Sequence, residues 1–87
     1  MKISIITATF NRESTIIRAI SSIQKQSYYN IQNIIVDGAS KDNTINLIRP
    51  ILRNNDILIS EPDDGTYDAL NKGINLSNGN IIAFLHS

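Results

Sequence analysis

The strongest constraint on this chain is an alternation: four short, isoleucine-rich apolar runs are separated by three stretches whose apolar residues fall at helical spacing. Lys2 to Thr9 reads as a buried strand, with Ile3, Ile5 and Ile6 β-branched. A helix is predicted over Ser14 to Gln26, capped by Ser14 and carrying Ile16, Ile17, Ile20 and Ile23 on one face. Ile31 to Asp37 is apolar at Ile34, Ile35 and Val36 without strict alternation, as suits a strand covered on both faces. Ser40 or Asp42 can cap a second helix bearing Ile45, Ile48, Ile51 and Leu52, and Pro50 should kink it or end it near Arg49. Ile57 to Ser60, a helix over Thr66 to Leu76 and a strand over Asn80 to Leu85 complete the order β-α-β-α-β-α-β. In the third helix Tyr67, Leu70 and Ile74 fall on one face and are the core candidates. Strands alternating with helices imply an α/β fold, a Rossmann-like open parallel sheet with right-handed crossovers and helices on both faces.

With 87 residues the chain is one small domain with a thin stability margin. Its formal net charge is zero with acids and bases interspersed, which argues against a broad basic face for nucleic acid or a polybasic membrane anchor. Cysteine is absent, so disulfides and thiolate metal sites are excluded and a reducing compartment is compatible. The opening MKISIITATF is too short an apolar run for a secretory signal, and no run approaches the roughly 20 apolar residues of a membrane span. The expectation is a cytoplasmic protein.

Neither GxGxxG nor GxxxxGK[ST] occurs, and His86 stands alone, so no zinc pair exists. Polar or small residues follow each strand instead: Thr7 to Phe10 with Asn11, then Asp37, Gly38 and Ser40, then Glu61 to Gly65. In an open α/β sheet such residues converge on one crevice at the carboxyl ends of the strands. That crevice suits a nucleotide base. Asp37 can accept from a ring N–H such as the imide of uracil, Phe10 can face the ring, Ala8 leaves it room, and Gly38 permits close approach. The same residues have plainer readings. Asp-Gly after a strand is often only a turn, although the largely polar run Ala39 to Asn43 is no returning hairpin strand. Ser40 and Asp42 are more often caps than ligands. Asp63 and Asp64 are more often partners of a helix N-terminus than metal ligands. Asp68, Asn71 and Lys72 lie off the apolar face of the third helix, and His86 near the terminus should be frayed or solvent-exposed.

Five segments, SIITATFN, AISSIQKQSY, IIVDGASKDNT, ISEPDDGTYDALNKGI and SNGNIIAFLHS, together resemble the start of family-2 glycosyltransferases, the GT-A fold enzymes that use nucleotide-diphosphate sugars. Each is weak alone, but their order and spacing cover essentially the whole chain. The style SEPDxGxYDAxNKG resembles members that build bacterial surface polysaccharides, of the colanic-acid type.

The resemblance implies that Ala8 and Phe10 line a base pocket, with Thr7 and Asn11 beside them. Asp37 would accept from the uracil imide next to Gly38, and Asp68, Asn71 and Lys72 would border the nucleotide. It implies a UDP-sugar or other nucleotide-sugar as donor, guanine and thymine staying open as bases, and a glycan or lipid-linked acceptor. It also implies Mg²⁺ or Mn²⁺ on the diphosphate, held by an acidic pair that members carry just after FLxS. Here that motif, and the general base of inverting members, would lie beyond Ser87. Without the metal's electrostatic stabilisation of the leaving diphosphate, this stretch alone is expected not to transfer sugar, and no catalytic residue is assigned within it. The fourth strand is expected to present an unpaired edge and to invite self-association over residues 80–85. Two rivals fit less well: a non-enzymatic receiver- or flavodoxin-type module lacks its acids or phosphate loop after the first strand. A nucleotidyltransferase would want glycines where Thr9, Phe10, Asn11 and Arg12 stand.

Overall fold

A computed structural model describes residues 1–25 and 30–86, the side chain of His86 excepted. Its elements are β1 (Ile3–Thr9), α1 (Ile16–Gln24), β2 (Ile31–Asp37), α2 (Thr44–Ile48), a 3-10 turn (Arg49–Ile51), β3 (Ile57–Ser60), α3 (Thr66–Leu76) and β4 (Ile81–His86). The strands form one parallel sheet in the order β3-β2-β1-β4. The chain therefore builds outward from β1 through β2 to β3, then returns to place β4 on the free side of β1. Strand order reverses at β1, and such a switch point opens a crevice at the carboxyl ends of the strands. The register brings those ends level, with Thr9 opposite Asp37, Asp37 opposite Ser60, and Ala8 opposite His86.

Two apolar layers hold the sheet. Ile6, Ile34 and Val36 pack under Ala69 of α3, while Ile35 on the opposite face meets Ile16 and Ile20 of α1 and Ile48 of α2. β2 contributes to both, which is why its sequence is continuously apolar. Pro50 sits in the 3-10 turn and α2 ends at Ile48, as a proline that blocks the preceding turn requires.

Two expectations are corrected. α1 starts at Ile16 with no side-chain cap bond, because the Glu13 amide is engaged by Asp42 and the amides of Thr15 and Ile16 bond the Arg12 carbonyl. The expected end at Gln26 lies outside the described residues. In α3, Tyr67 is 85% exposed and Ile74 39%, so neither is core. The face that meets the sheet runs through Ala69, Leu70 and Gly73. Small residues let the helix approach so closely that a Cβ on Gly73 would lie 2.4 Å from Ile6 Cγ2.

Candidate functional site

The loops after β1 and β2 are stitched together by side chains standing in for backbone partners. Asn11 takes a left-handed φ of 52°, a conformation asparagine tolerates. There its amide donates to Ser40 Oγ at 2.8 Å, and its Oδ1 accepts the Lys41 amide at 2.8 Å. The Arg12 amide donates to buried Thr44 Oγ1 at 2.9 Å, and the Glu13 amide to Asp42 Oδ2 at 3.2 Å. Asp42 is held below the usual carboxylate value, first by the Thr44 hydroxyl, which donates to it, and further by backbone amides, partly opposed by desolvation.

Asp37 is the hub of this arrangement and has no exposed surface. Its Oδ2 accepts the Ser40 amide and the Ser60 hydroxyl, both at 2.8 Å, and its Oδ1 accepts the Ser40 hydroxyl. Its carbonyl accepts the Glu61 amide, so one residue fastens the end of β2 to its own following loop and to the end of β3. The base-accepting role expected of Asp37 thus meets a carboxylate that is buried and already bonded.

A cleft of about 540 Å³ opens between the ends of β1 and β4 and the start of α3. Ala8, Ala69, Leu70 and Phe84 supply apolar wall, while Thr9, Arg12 and Asp63 supply its polar character. Of the expected site residues, Ala8, Phe10 and Asn11 line this cleft. Thr7 is buried lower on β1, Asp37 is fully buried, and Gly38 does not itself line the cleft although it adjoins the lining residue Asp63. Asp68 and Lys72 also fall outside it. Lys72 Nζ lies 3.0 Å from Glu61 and 3.6 Å from Asp68, and it donates to the Pro62 carbonyl at 3.1 Å. Chiefly through the Glu61 hydrogen bond, the Lys72 ammonium is held above its ordinary range. Lys72 therefore braces the loop after β3 rather than facing the cleft.

Three lining residues carry no assigned role in the sequence reading, although Thr9 and Asp63 stand there among the residues expected at the crevice. Thr9 is 5% exposed, and its hydroxyl is buried without a hydrogen-bond partner among the described residues. Arg12 and Asp63 are the only charged side chains lining the cleft among the described residues. Asp63 stands in the SEPDDG segment, but nothing local distinguishes it from Asp64.

Among the described residues no group of three or more His, Cys, Asp or Glu is placed to hold a metal ion, so no step is derived through one. No helix among them is long and apolar enough to cross a membrane.

Comparison with known proteins places this architecture. Residues 4–87 match the sequence profile of the family described as Glycosyl transferase family 2. An uncharacterized glycosyltransferase of Mycobacterium tuberculosis is 36% identical over 86 residues, covering 98% of this chain and 33% of that protein. The GalNAc(5)-diNAcBac-PP-undecaprenol beta-1,3-glucosyltransferase of Campylobacter jejuni is 30% identical over 88 residues, covering 97% of this chain and 28% of that protein. Among solved structures, S. aureus TarS in complex with UDP-GlcNAc superposes with a TM-score of 0.90 at 25% identity, covering 99% of this chain and 26% of that one. A mannosyltransferase of Pyrobaculum calidifontis, in complex with GDP-Man and Mn²⁺, gives 0.84 at 27% identity, covering 93% and 26%. This chain spans about a third of the length of the curated relatives it matches. With that profile along nearly its whole length and the Rossmann-like α/β architecture of GT-A enzymes, the chain belongs to glycosyl transferase family 2.

Proposed function

We propose that the cleft receives the nucleotide of a nucleoside-diphosphate sugar, a UDP-sugar foremost, for sugar transfer to a glycan or lipid-linked acceptor in polysaccharide biosynthesis. The observation that carries this reading is the cleft itself. It sits at the switch point of a parallel sheet, where open α/β folds take ligands. Its apolar wall and Phe10, 51% exposed, suit the flat face of a base. Arg12 at the same cleft is a cation for a diphosphate, matched to its oxygens by a planar fork of donors. Structural relatives hold GDP-Man and UDP-GlcNAc, which supports a nucleotide-sugar donor here.

Residues 1–87 supply the nucleotide side only and do not transfer sugar by themselves. The missing contribution is electrostatic: the leaving diphosphate needs a divalent ion, Mg²⁺ or Mn²⁺, and among the described residues no group of three or more His, Cys, Asp or Glu is placed to hold one. Calorimetric titration of the chain with UDP, with and without Mn²⁺, tests both statements. Binding that ignores Mn²⁺ is the expected result. A folded chain that binds no nucleotide would overturn the donor-site reading, and binding that requires Mn²⁺ would overturn the assignment of metal ligands elsewhere.

A further inference from the structure

We propose that Asp63, reaching into the space left by Gly38, reads the nucleotide base, and that it selects bases carrying a ring N–H beside a carbonyl, as uracil and guanine do. The proposal rests on the donor-site reading above. It begins with a problem of supply. A base recognised through its N–H needs an acceptor facing the cleft, and Asp37 cannot provide one while it stays buried on Ser40 and Ser60.

Among the described residues Asp63 is the only carboxylate lining the cleft, and it is half-buried there. Its Oδ1 accepts the Gly65 amide at 3.1 Å, and its Oδ2 has no hydrogen-bond partner among the described residues. That free oxygen lies 3.0 Å from where a Cβ on Gly38 would stand, with the carboxyl carbon at 3.3 Å. A Cβ at position 38 would crowd the Asp63 carboxylate, which would have to shift by a few tenths of an ångström to make room. Glycine at the end of β2 thus leaves space for an acid from the loop after β3. Lys72 keeps that loop in place through Glu61 and the Pro62 carbonyl.

An independent observation points the same way. Thr9 Oγ1 is buried, lacks a partner and belongs to a residue lining the same cleft. A buried hydroxyl left unpaired is costly and usually has a ligand or water in view. An ionised carboxylate only accepts, whereas a hydroxyl can donate. Together Asp63 as acceptor and Thr9 as donor supply the two functions that a base edge with an N–H beside a C=O requires. Cytosine and adenine present a ring-nitrogen lone pair at the corresponding position, which a carboxylate repels.

The test is calorimetry on the 87-residue chain with UDP and with N3-methyl-UDP, which lacks the imide proton, repeated on Asp63→Ala, Gly38→Ala and, as a control, Asp64→Ala. A hydrogen bond to a charged group is worth on the order of tenfold or more in affinity. The wild-type chain is expected to prefer UDP by about that factor, and Asp64→Ala to keep the preference. Asp63→Ala and Gly38→Ala should shrink it toward unity while keeping the wild-type circular dichroism. Equal binding of UDP and N3-methyl-UDP by the wild-type chain would overturn the assignment and leave the donor site standing. That comparison needs no variant to fold. A preference undiminished in Asp63→Ala would likewise overturn it, and a folded chain that binds neither nucleotide would overturn both this assignment and the donor-site reading.

Discussion

Replacing Gly73 by alanine sets two effects of opposite sign against each other. Helix propensity favours alanine by about 1 kcal/mol at a helix-interior position. Packing opposes it, because the new Cβ would lie 2.4 Å from Ile6 Cγ2, 3.2 Å from Cγ1 and 3.3 Å from Cδ1. Ile6 has no exposed surface, and Cγ2 sits directly on its Cβ, so it cannot swing away as the end of a long side chain would. Overpacking a core typically costs about 1–3 kcal/mol, and so rigid a contact belongs in the upper half of that range. The net expectation is a loss of about 1–2 kcal/mol. That is a fall of roughly 4–16 °C in Tm for a domain of this size. It is also a sizeable share of a total stability of about 4–13 kcal/mol for 87 residues. Thermal and urea unfolding of the single and double variants measure it. The geometry further dictates the rescue. Ile6→Leu moves the branch off Cβ and should recover part of the loss, whereas Ile6→Val keeps both γ-carbons and should recover none. A Gly73→Ala chain more stable than wild type would refute the close approach of α3 to β1, and so would equal rescue by leucine and valine.

Three further outcomes are expected. Asp37→Ala should cost roughly 1–3 kcal/mol in urea unfolding, since it removes a fully buried acceptor of three hydrogen bonds; an unchanged midpoint would sink its role as hub. Asp42, bonded by the Thr44 hydroxyl and by the Thr44 and Glu13 amides, should titrate below its ordinary 3.8 in a carboxyl-carbon NMR titration. Because its folded-state pKa is lowered, its contribution to stability is complete above the unfolded value. It disappears as pH falls through the folded one, and Asp42→Asn should flatten that part of the acid-unfolding curve. Finally, β4 is an edge strand with Ile81, Ile82 and Phe84 exposed. Sedimentation velocity should then show concentration-dependent association that Ile82→Lys weakens, and a monomer at every concentration would rule it out.

What could be read from the sequence, and what could not, follows from the range of the interactions involved. β3 and α3 have the ends their local pattern predicts, because turn residues and apolar spacing decide them within a few positions. The start of α1 was misplaced because Glu13 is committed to Asp42, 29 residues away, a bond no local pattern records. The sheet-facing side of α3 was misplaced for a different reason. Apolar spacing points to the larger side chains, whereas close packing selected Ala69 and Gly73, which carry little hydrophobic signal. At the site, position was legible and role was not. Asp37 stands at the strand end as expected, yet Ser60, which helps to bury and saturate it, is 23 residues distant. Lys72 likewise has its Pro62 partner ten residues back and turns toward the loop.

The same bonds divide the crevice into two unequal sides. The loops after β1 and β2 fix each other through Asn11, Ser40, Arg12, Thr44, Glu13 and Asp42, so the side carrying Phe10 and Arg12 is held before any ligand arrives. The loop after β3 meets that assembly through Asp37, at the Ser60 hydroxyl and the Glu61 amide, and through the fit of Asp63 against Gly38. A side already fixed adds little ordering cost to binding, and the loop after β3, braced on α3 by Lys72, needs only to be tied more firmly to the other two loops. A base seated against Phe10 and bonded to Asp63 would join the two sides and supply the bonds that the fold leaves unmade. The buried, unpartnered hydroxyl of Thr9 fits this account: it is a cost in the chain alone that a bound base would remove.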